Sequence, residues 1–117
     1  IGVDGGPVKC LLLTFTGRKS GNELQTVLQY FELDGKIAVV ASRGGTEDHP
    51  VWYLNLLANS KCHTQVGERG YDSIARTIEP SEREAWLEVI FREQPIQRTY
   101  QSRTSRVIPI VVLEEAN

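Results

Sequence analysis

VKCLLLTFTGRKSGNELQTVLQYFELDGKIAVVA, residues 8–41, is the stretch that decides the fold. Its apolar runs are short and rich in β-branched and aromatic residues, which predicts strands at about 8–15, 24–33 and 36–41. Asp34-Gly35 stands between two of these runs, and this dipeptide is a strong hairpin signal there. Three antiparallel strands in the first 42 residues indicate a domain built on a sheet.

The middle of the chain adds a helix and two strands. Residues 50–58 have helical length and apolar spacing, and Pro50 suits the first helical position, where its missing N–H costs nothing. Gly67-Glu68-Arg69-Gly70 separates two further apolar runs as a hairpin turn would. Those runs predict strands at 62–66 and 71–78.

The last third contains the clearest local helix signal. Ser81 as N-cap and Glu84 three residues later have the spacing of a capping box, ahead of a helix at about 82–93. The polar segment 95–106 is predicted to be short and helical. The final apolar run, VIPIVVLEE, predicts a strand in which Pro109 needs an edge or a bulge.

Composition and length limit the class of protein. A chain of 117 residues with 40% hydrophobic content predicts one domain over 1–117, and its elements predict an α+β fold that could close into a barrel. A net charge of −2 argues against a broad basic face for duplex nucleic acid. No apolar run approaches membrane-spanning length. The chain contains no Met, so Ile1 is not expected to be the natural start and the N-terminus is expected to be truncated.

The two cysteines carry no recognisable site. Cys10 and Cys62 lack CxxC or metal-ligand spacing, so two reduced thiols in an intracellular protein are predicted, with Cys10 in a buried strand. A disulfide or a metal site is the minor alternative.

Two basic clusters are the candidates for chemistry. Arg18 and Lys19 follow the first predicted strand, and Ser42-Arg43-Gly44-Gly45 follows the third. Basic residues at a hairpin tip usually serve solubility alone. If the strands are antiparallel in order, however, both clusters lie at one end of the sheet, beside the positive end of the predicted helix at Pro50. The basic clusters therefore have two interpretations: solvent-exposed turns that serve solubility, or a shared site for an anion.

The aromatic and histidine residues are weaker candidates. Trp52 and Tyr53 fit core packing of the predicted helix better than stacking on a planar ligand. His49, beside Asp48, is weak evidence for acid–base catalysis, and His63 is weaker still. The sequence offers no Ser-His-Asp set, carboxylate pair or phosphate-binding glycine loop.

Four segments taken together, LLLTFTGRKSG, LDGKIAVVASRGG, HPVWYLNLLAN and YQSRTSRVIPIVVLE, resemble the deazaflavin-dependent nitroreductase family, known mainly from actinobacteria. The resemblance covers about residues 9–113. It implies a split β-barrel related to the barrels that bind FMN, an oxidoreductase activity, and coenzyme F420, an 8-hydroxy-5-deazaflavin, as cofactor. That coenzyme carries a phosphate and an oligoglutamate tail, which would give the basic clusters an anionic ligand.

Site residues follow from the same resemblance, position by position. It implies that Tyr100 contacts the substrate or donates a proton. Phosphate or tail would be held by the GRKS turn and the end of the third strand, while the deazaflavin ring would lie against the second strand and the WYLN helix. The implied cofactor contacts are Arg18, Lys19, Ser20, Gly21, Thr26, Val27, Gln29, Ser42, Arg43, Gly44, Val51, Trp52, Tyr53 and Asn55.

Some positions depart from the family pattern. Leu24 stands where well-matched members have arginine, and Val27 replaces the usual proline. Gln94, Gln97 and Gln29 stand where nitroimidazole-reducing relatives often have tyrosines. The substrate pocket is therefore expected to differ from the family pattern more than the cofactor pocket does. For this reason the resemblance is not taken to imply reduction of nitro drugs.

The expected activity is hydride transfer from the reduced coenzyme to a small apolar electrophile, namely a quinone, an enone or a nitroaromatic. The expected partners are this acceptor and a dehydrogenase that reduces F420, in the cytoplasm, with possible peripheral contact with the membrane. The alternatives are a non-catalytic binder of lipid or another anionic amphiphile, and a barrel that binds FMN or haem.

Overall fold

The computed structural model describes residues 2–3 and 6–116, and its main feature is one curled antiparallel sheet of seven strands. The spatial order is β4-β3-β7-β8-β9-β6-β5, beside a small ribbon of β1 and β2. The strands are β1 (Gly2–Val3), β2 (Gly6–Pro7), β3 (Cys10–Thr16), β4 (Glu23–Gln29), β5 (Phe31–Leu33), β6 (Lys36–Val40), β7 (Lys61–Val66), β8 (Arg69–Thr77) and β9 (Ile110–Glu115). The helices are α1 (Val51–Ala58), α2 (Pro80–Glu93) and α3 (Ile96–Ser102). This half-barrel with helices confirms the predicted α+β split β-barrel class.

Both faces of the sheet are used to bury apolar side chains. Alternation along β3 directs Leu11, Leu13 and Phe15 into the barrel, where Tyr53 and Leu56 of α1 pack against them. On the outer face, α2 covers β5, β6 and β9 through Trp86, Val89 and Ile90, among others. Since α1 packs inside and α2 outside, each helix covers a different side of one sheet.

Two predicted strands are corrected. The run at 24–33 is divided at Tyr30, because β4 pairs with β3 while β5 pairs with β6 at the other edge of the sheet. The Tyr30 N–H donates to the Lys9 carbonyl at 2.9 Å instead of joining either ladder. Pro109 lies just before β9, not within it, because β9 is a central strand that needs its N–H groups for β8 and β6.

Several local predictions are confirmed, and one concerning a cysteine is wrong. Asp34 and Gly35 join β5 to β6 with φ values of 52° and 78°, as a two-residue hairpin with two left-handed positions requires. The predicted helix is present as α1, but Pro50 is its N-cap and not its first helical residue, and Asn59 is its C-cap. Both cysteines are free thiols, but Cys10 is exposed, because the first residue of β3 lies outside the buried part of the strand.

The cap of α2 lies two residues before the predicted Ser81. Glu79 is the N-cap, and the box is reciprocal: its side chain accepts the backbone N–H of Glu82, whose Oε1 accepts the Glu79 N–H at 2.8 Å. Pro80 takes the first helical position, which its fixed φ favours, so Ser81 and Glu84 fall inside the helix. Arg76 of β8 donates to both carboxylate oxygens of Glu82, at 2.7 and 3.2 Å.

We expect Glu82→Gln to lower the thermal midpoint at pH 7. The Arg76 side chain, with help from the Glu79 N–H, lowers the pKa of Glu82 from 4.5 to about 2. A depressed carboxyl pKa stabilises the fold above the unfolded value and ceases to do so as pH falls through the folded value. The difference from wild type should therefore shrink between about pH 4.5 and pH 2. Glu84→Gln, the same change at an exposed position of α2, is the matched control; equal midpoints for the two variants at pH 7 would contradict this prediction.

Candidate functional site

The turn between β3 and β4 is a closed, rigid loop. The Gly17 N–H donates to the Asn22 carbonyl and the Gly21 N–H to the Gly17 carbonyl, both at 2.8 Å. The Ser20 Oγ accepts the Asn22 N–H at 3.1 Å, which leaves its own hydroxyl hydrogen for a ligand. Gly21 has a φ of 75°, and no atom lies within 4 Å of the position of an added Cβ. The turn therefore presents open backbone next to its cations.

Arg18 ties this turn to α1. Its backbone N–H and its guanidinium both donate to Oδ1 of Asn55, at 2.9 and 3.1 Å, and Asn55 is only 2% exposed. Lys19, the next residue, is exposed, and within the described ranges it forms no ion pair. The two neighbouring cations thus differ, because Arg18 is a docking residue and Lys19 is free for an anion.

The second basic cluster is a left-handed turn. Arg43, Gly44 and Gly45 have φ values of 46°, 65° and 81°, a conformation that costs a non-glycine residue roughly 1–2 kcal/mol. Arg43 is half-exposed and lies 3.7 Å from a carboxylate oxygen of Asp48. An added Cβ on Gly44 would meet nothing within 4 Å. The turn therefore directs open backbone and the Arg43 guanidinium, which is paired with the exposed Asp48, toward solvent at the end of β6.

Arg106 holds this left-handed turn in place. Its guanidinium donates to the carbonyls of Ala41 (3.2 Å), Ser42 (2.7 Å) and Thr46 (2.8 Å), on both sides of the turn. A fourth contact, at 3.1 Å, reaches Nδ1 of His49. Hydrogen bonds from a charged donor are roughly twice as strong as neutral ones, so this clamp offsets the strain at Arg43.

The environment of His49 lowers the pKa of its ring, which favours the neutral form. Partial burial, followed by the nearby Arg106 guanidinium, lowers the pKa of His49 below its usual value, against a smaller opposing effect of Asp48. A guanidinium can only donate, so Nδ1 of His49 accepts and the ring proton is on Nε2. The His49 ring also packs edge-on against Tyr53, with 5.0 Å between ring centroids.

Helix α3 places Tyr100 against the left-handed turn. A Cβ on Gly45 would lie 2.3 Å from the carbonyl oxygen of Tyr100, so the two backbones touch and only glycine fits. Arg103 directly follows α3, and its Cζ lies over the Tyr100 ring, 5.7 Å from the ring centroid. The Arg103 guanidinium also donates to the Gly44 carbonyl at 3.4 Å. The candidate catalytic residue and the second basic cluster are therefore neighbours.

The remaining candidate residues lie in different environments. In α1, Val51 is 64% exposed and Trp52 half-buried, whereas Tyr53 is buried with its hydroxyl 2.8 Å from Oγ1 of Thr77. Along β4, Thr26 is on the barrel face, while Val27 and Gln29 are on the opposite face, since successive strand residues alternate. The structure thus brings together the two turns, Val51, Trp52 and Tyr100, but it does not bring the three β4 side chains to one surface.

Both basic turns flank α1 at one end of the barrel. β3 and β6 run in the same direction, because three strands lie between them in the sheet and each neighbouring pair is antiparallel. The C-terminal ends of both strands therefore lie at the same end of the barrel, as predicted. His49, which contacts Arg106, precedes α1, whereas Asn55, which contacts Arg18, lies within the helix. Two exposed cations and two glycine positions with open backbone are a donor set that fits phosphate or carboxylate groups.

Sequence reasoning missed Arg106 and the structural role of Asn55 in this site. Arg106 is one of several arginines in a polar segment, and no local pattern distinguishes it. Asn55 was assigned to the ligand, but its Oδ1 is occupied by Arg18. Across the described part of the chain no cluster of three potential metal ligands occurs, and none of its helices is long and apolar enough to cross a membrane.

Comparison with known proteins gives consistent similarities. Residues 2–115 match the family model described as F420H(2)-dependent quinone reductase. A Mycobacterium tuberculosis protein named as such a reductase is 39% identical over 114 residues, which is 95% of this chain and 76% of that protein. A second, putative one from the same species is 33% identical over 92% of this chain and 90% of its own length. A solved structure described as an F420-H2 dependent reductase (FDR-A) superposes with a TM-score of 0.82 at 39% identity, covering 91% of this chain and 94% of that one.

Proposed function

The chain belongs to the F420H(2)-dependent quinone reductase family, and we propose that its two basic turns hold the cofactor of that family. It is an oxidoreductase that uses coenzyme F420 and transfers a hydride from the reduced coenzyme to a quinone. The single observation that carries the site assignment is the pair of rigid, cationic turns on either side of α1. In this proposal Lys19, Ser20, Arg43 and the open backbone at Gly21 and Gly44 bind phosphate and tail carboxylates.

The ring of the cofactor is proposed to lie between these turns and α3. Val51 and Trp52 offer the ring apolar surface, and Ser42 lies at the turn beside it. On β4, which forms one edge of the sheet, the proposed ring contacts are Thr26 on the barrel face and Val27 and Gln29 on the opposite face. When bound, reduced F420 supplies the hydride. The protein orients donor and acceptor and excludes water, and Tyr100 is proposed to contact the acceptor or to provide a proton from its hydroxyl.

We also propose that residues 1–117 form one domain. Further acceptors and a partner enzyme are proposed as well. Enones and nitroaromatics share with quinones an apolar frame that accepts a hydride, so we propose them as additional acceptors. A separate dehydrogenase is proposed to regenerate reduced F420. The exposed Leu57 on α1, at 61% exposure, supports a proposed peripheral contact with a membrane surface.

A titration tests the function directly. We expect oxidised F420 to bind the purified protein with a change in fluorescence, FMN to bind more weakly, and reduced F420 to be oxidised when a quinone is added. Binding of FMN but not F420 would favour a flavin barrel, and binding of both without turnover would favour a non-catalytic binder. Lack of F420 binding at tens of micromolar contradicts the proposal.

Leu24→Arg tests the geometry of the site within the same titration. Leu24 is 40% exposed, pairs with Phe15 across the β3–β4 ladder, and its Cδ1 lies 3.1 Å from a Cβ built on Gly17, directly under the basic turn. A charge-assisted hydrogen bond contributes about 1.5–3 kcal/mol, so an arginine here should tighten F420 binding about tenfold to a hundredfold. Gln25→Arg, at the exposed neighbouring position on the opposite face of β4, is the matched control and should have a smaller effect.

A further inference from the structure

A pocket beside His49 is lined by Tyr53 of α1 and by residues at the start of α2. Its volume is about 530 Å³, within the range of small-molecule sites. The walls are mainly apolar, formed by Ile78, Pro80, Val107, Pro109 and Ile110. Tyr100, Lys19 and Arg43, the residues proposed for the cofactor and its acceptor, do not line it.

The polar groups in this wall have protein partners, with one exception. The Arg83 guanidinium donates to the Ile108 carbonyl at 2.8 Å and to Oε1 of Gln101 at 3.1 Å. The hydroxyl groups of Tyr53 and Thr77 are hydrogen-bonded to each other, and the Glu79 side chain caps α2. For Nε2–H of His49, by contrast, no acceptor lies within hydrogen-bond distance among residues 2–3 and 6–116.

The state of His49 selects the ligand. Arg106 occupies Nδ1, so Nε2–H is the only polar group that this ring can offer to the pocket. Arg83 donates only to neutral oxygens and keeps its positive charge, but the Glu79 carboxylate lines the same pocket, so the two charges of the wall have opposite signs. A neutral N–H donor in such a wall favours an uncharged ligand with an accepting oxygen, because a charged ligand would lose hydration and meet no net opposite charge.

We propose that this pocket, which we call the His49 pocket, is a second site, separate from the acceptor position at Tyr100, that binds the ring of an uncharged carbonyl compound of the quinone class, with Nε2–H of His49 donating to a carbonyl oxygen. The choice of quinone rests on the proposed function; the position, donor and tautomer come from the residues of the pocket. Arg106 links this pocket to the cofactor turn, because the same guanidinium holds His49 and the Ser42 carbonyl.

The chain contains two histidines, which allows a direct test by NMR of protein labelled with ¹⁵N-histidine. His63, on β7 and 3.1 Å from Asp72, is the internal reference. The probe is 2,3-dimethyl-1,4-naphthoquinone, whose substituted ring positions prevent addition of the two thiols. Without F420 present, we expect His49 to show the Nε2–H tautomer and its Nε2 signal to move on titration, while His63 does not respond. No movement at His49 up to the solubility limit, or equal movement of both histidines, overturns the proposal.

Variants give an independent readout. His49→Ala should weaken binding of the naphthoquinone about tenfold, the effect of one lost hydrogen bond, and His49→Gln, which keeps an amide donor, should recover part of it. His63→Ala is the control and should bind as wild type does; unchanged affinity in His49→Ala overturns the proposal. Because these measurements use no cofactor, F420 binding with a silent His49 would contradict the pocket alone, whereas a responsive His49 without F420 binding would contradict the proposed function alone.

Discussion

Gly45→Ala is expected to lower the free energy of unfolding by about 3 kcal/mol and to reduce F420 affinity at the same time. Its φ is 81°, and the new Cβ would lie 2.3 Å from the Tyr100 carbonyl oxygen. This atom belongs to the backbone of α3, so the clash cannot be relieved by a rotamer change and the helix must move. Urea denaturation measures the first effect, and the fluorescence titration measures the second.

Gly44→Ala is the matched control for this prediction. Gly44 has a φ of 65°, so alanine is also strained there, but nothing lies within 4 Å of the new Cβ. We expect a loss of about 1 kcal/mol, the cost of a left-handed alanine without a clash. If the two variants lose equal stability, the contact between α3 and the left-handed turn is not what requires glycine at position 45.

Replacing Arg18 and Lys19 together by alanine should weaken F420 binding at least tenfold and flatten its dependence on salt. Exposed charges are screened by ions, so binding that depends on them weakens as ionic strength rises, and binding without them does so less. The measurement is the dissociation constant of oxidised F420 at several salt concentrations. An unchanged constant at low salt would show that this turn is only a solvated tip.

The single variants separate the two roles within this pair. Lys19→Ala should weaken binding without changing the thermal midpoint, since Lys19 is exposed. Arg18→Ala should also destabilise the fold by about 1 kcal/mol, because it removes the guanidinium donor to Oδ1 of the buried Asn55 while the backbone N–H of residue 18 remains bonded to that oxygen. Lys36→Ala, which removes an exposed cation at the start of β6 and thus at the other end of the barrel, is the control for net charge.

Local features of the fold could be predicted because their causes are local. The alternation of Leu11, Leu13 and Phe15 marks a strand with one buried face, and Asp34-Gly35 tolerates the two left-handed positions of its hairpin. The same reasoning failed at residues 24–33. Nothing within that run indicates that its two halves pair with opposite edges of the sheet, because the choice of partner depends on β3 and β6.

The candidate site shows the same division more sharply. Its cations were visible in GRKS and SRGG, but the roles of those cations were not. Arg18 and Asn55 are 37 positions apart, and Arg106 lies 64 positions from Ser42. Such contacts leave no periodic pattern in the chain. The resemblance to a family supplied the ligand, and the geometry then distinguished the docking arginine from the free lysine.

The sequence by itself therefore determined the strands, the tight turns, the positions of the cations and the family. These follow from side-chain periodicity, from the backbone conformations that glycine and proline allow, and from motifs read along the chain. Only the tertiary structure decided the order of the strands, the cap of α2 at Glu79, the clamp of Arg106 on the left-handed turn and the tautomer of His49. Each of these depends on which groups compete for a hydrogen bond once the chain has folded, and residues distant in sequence set that competition.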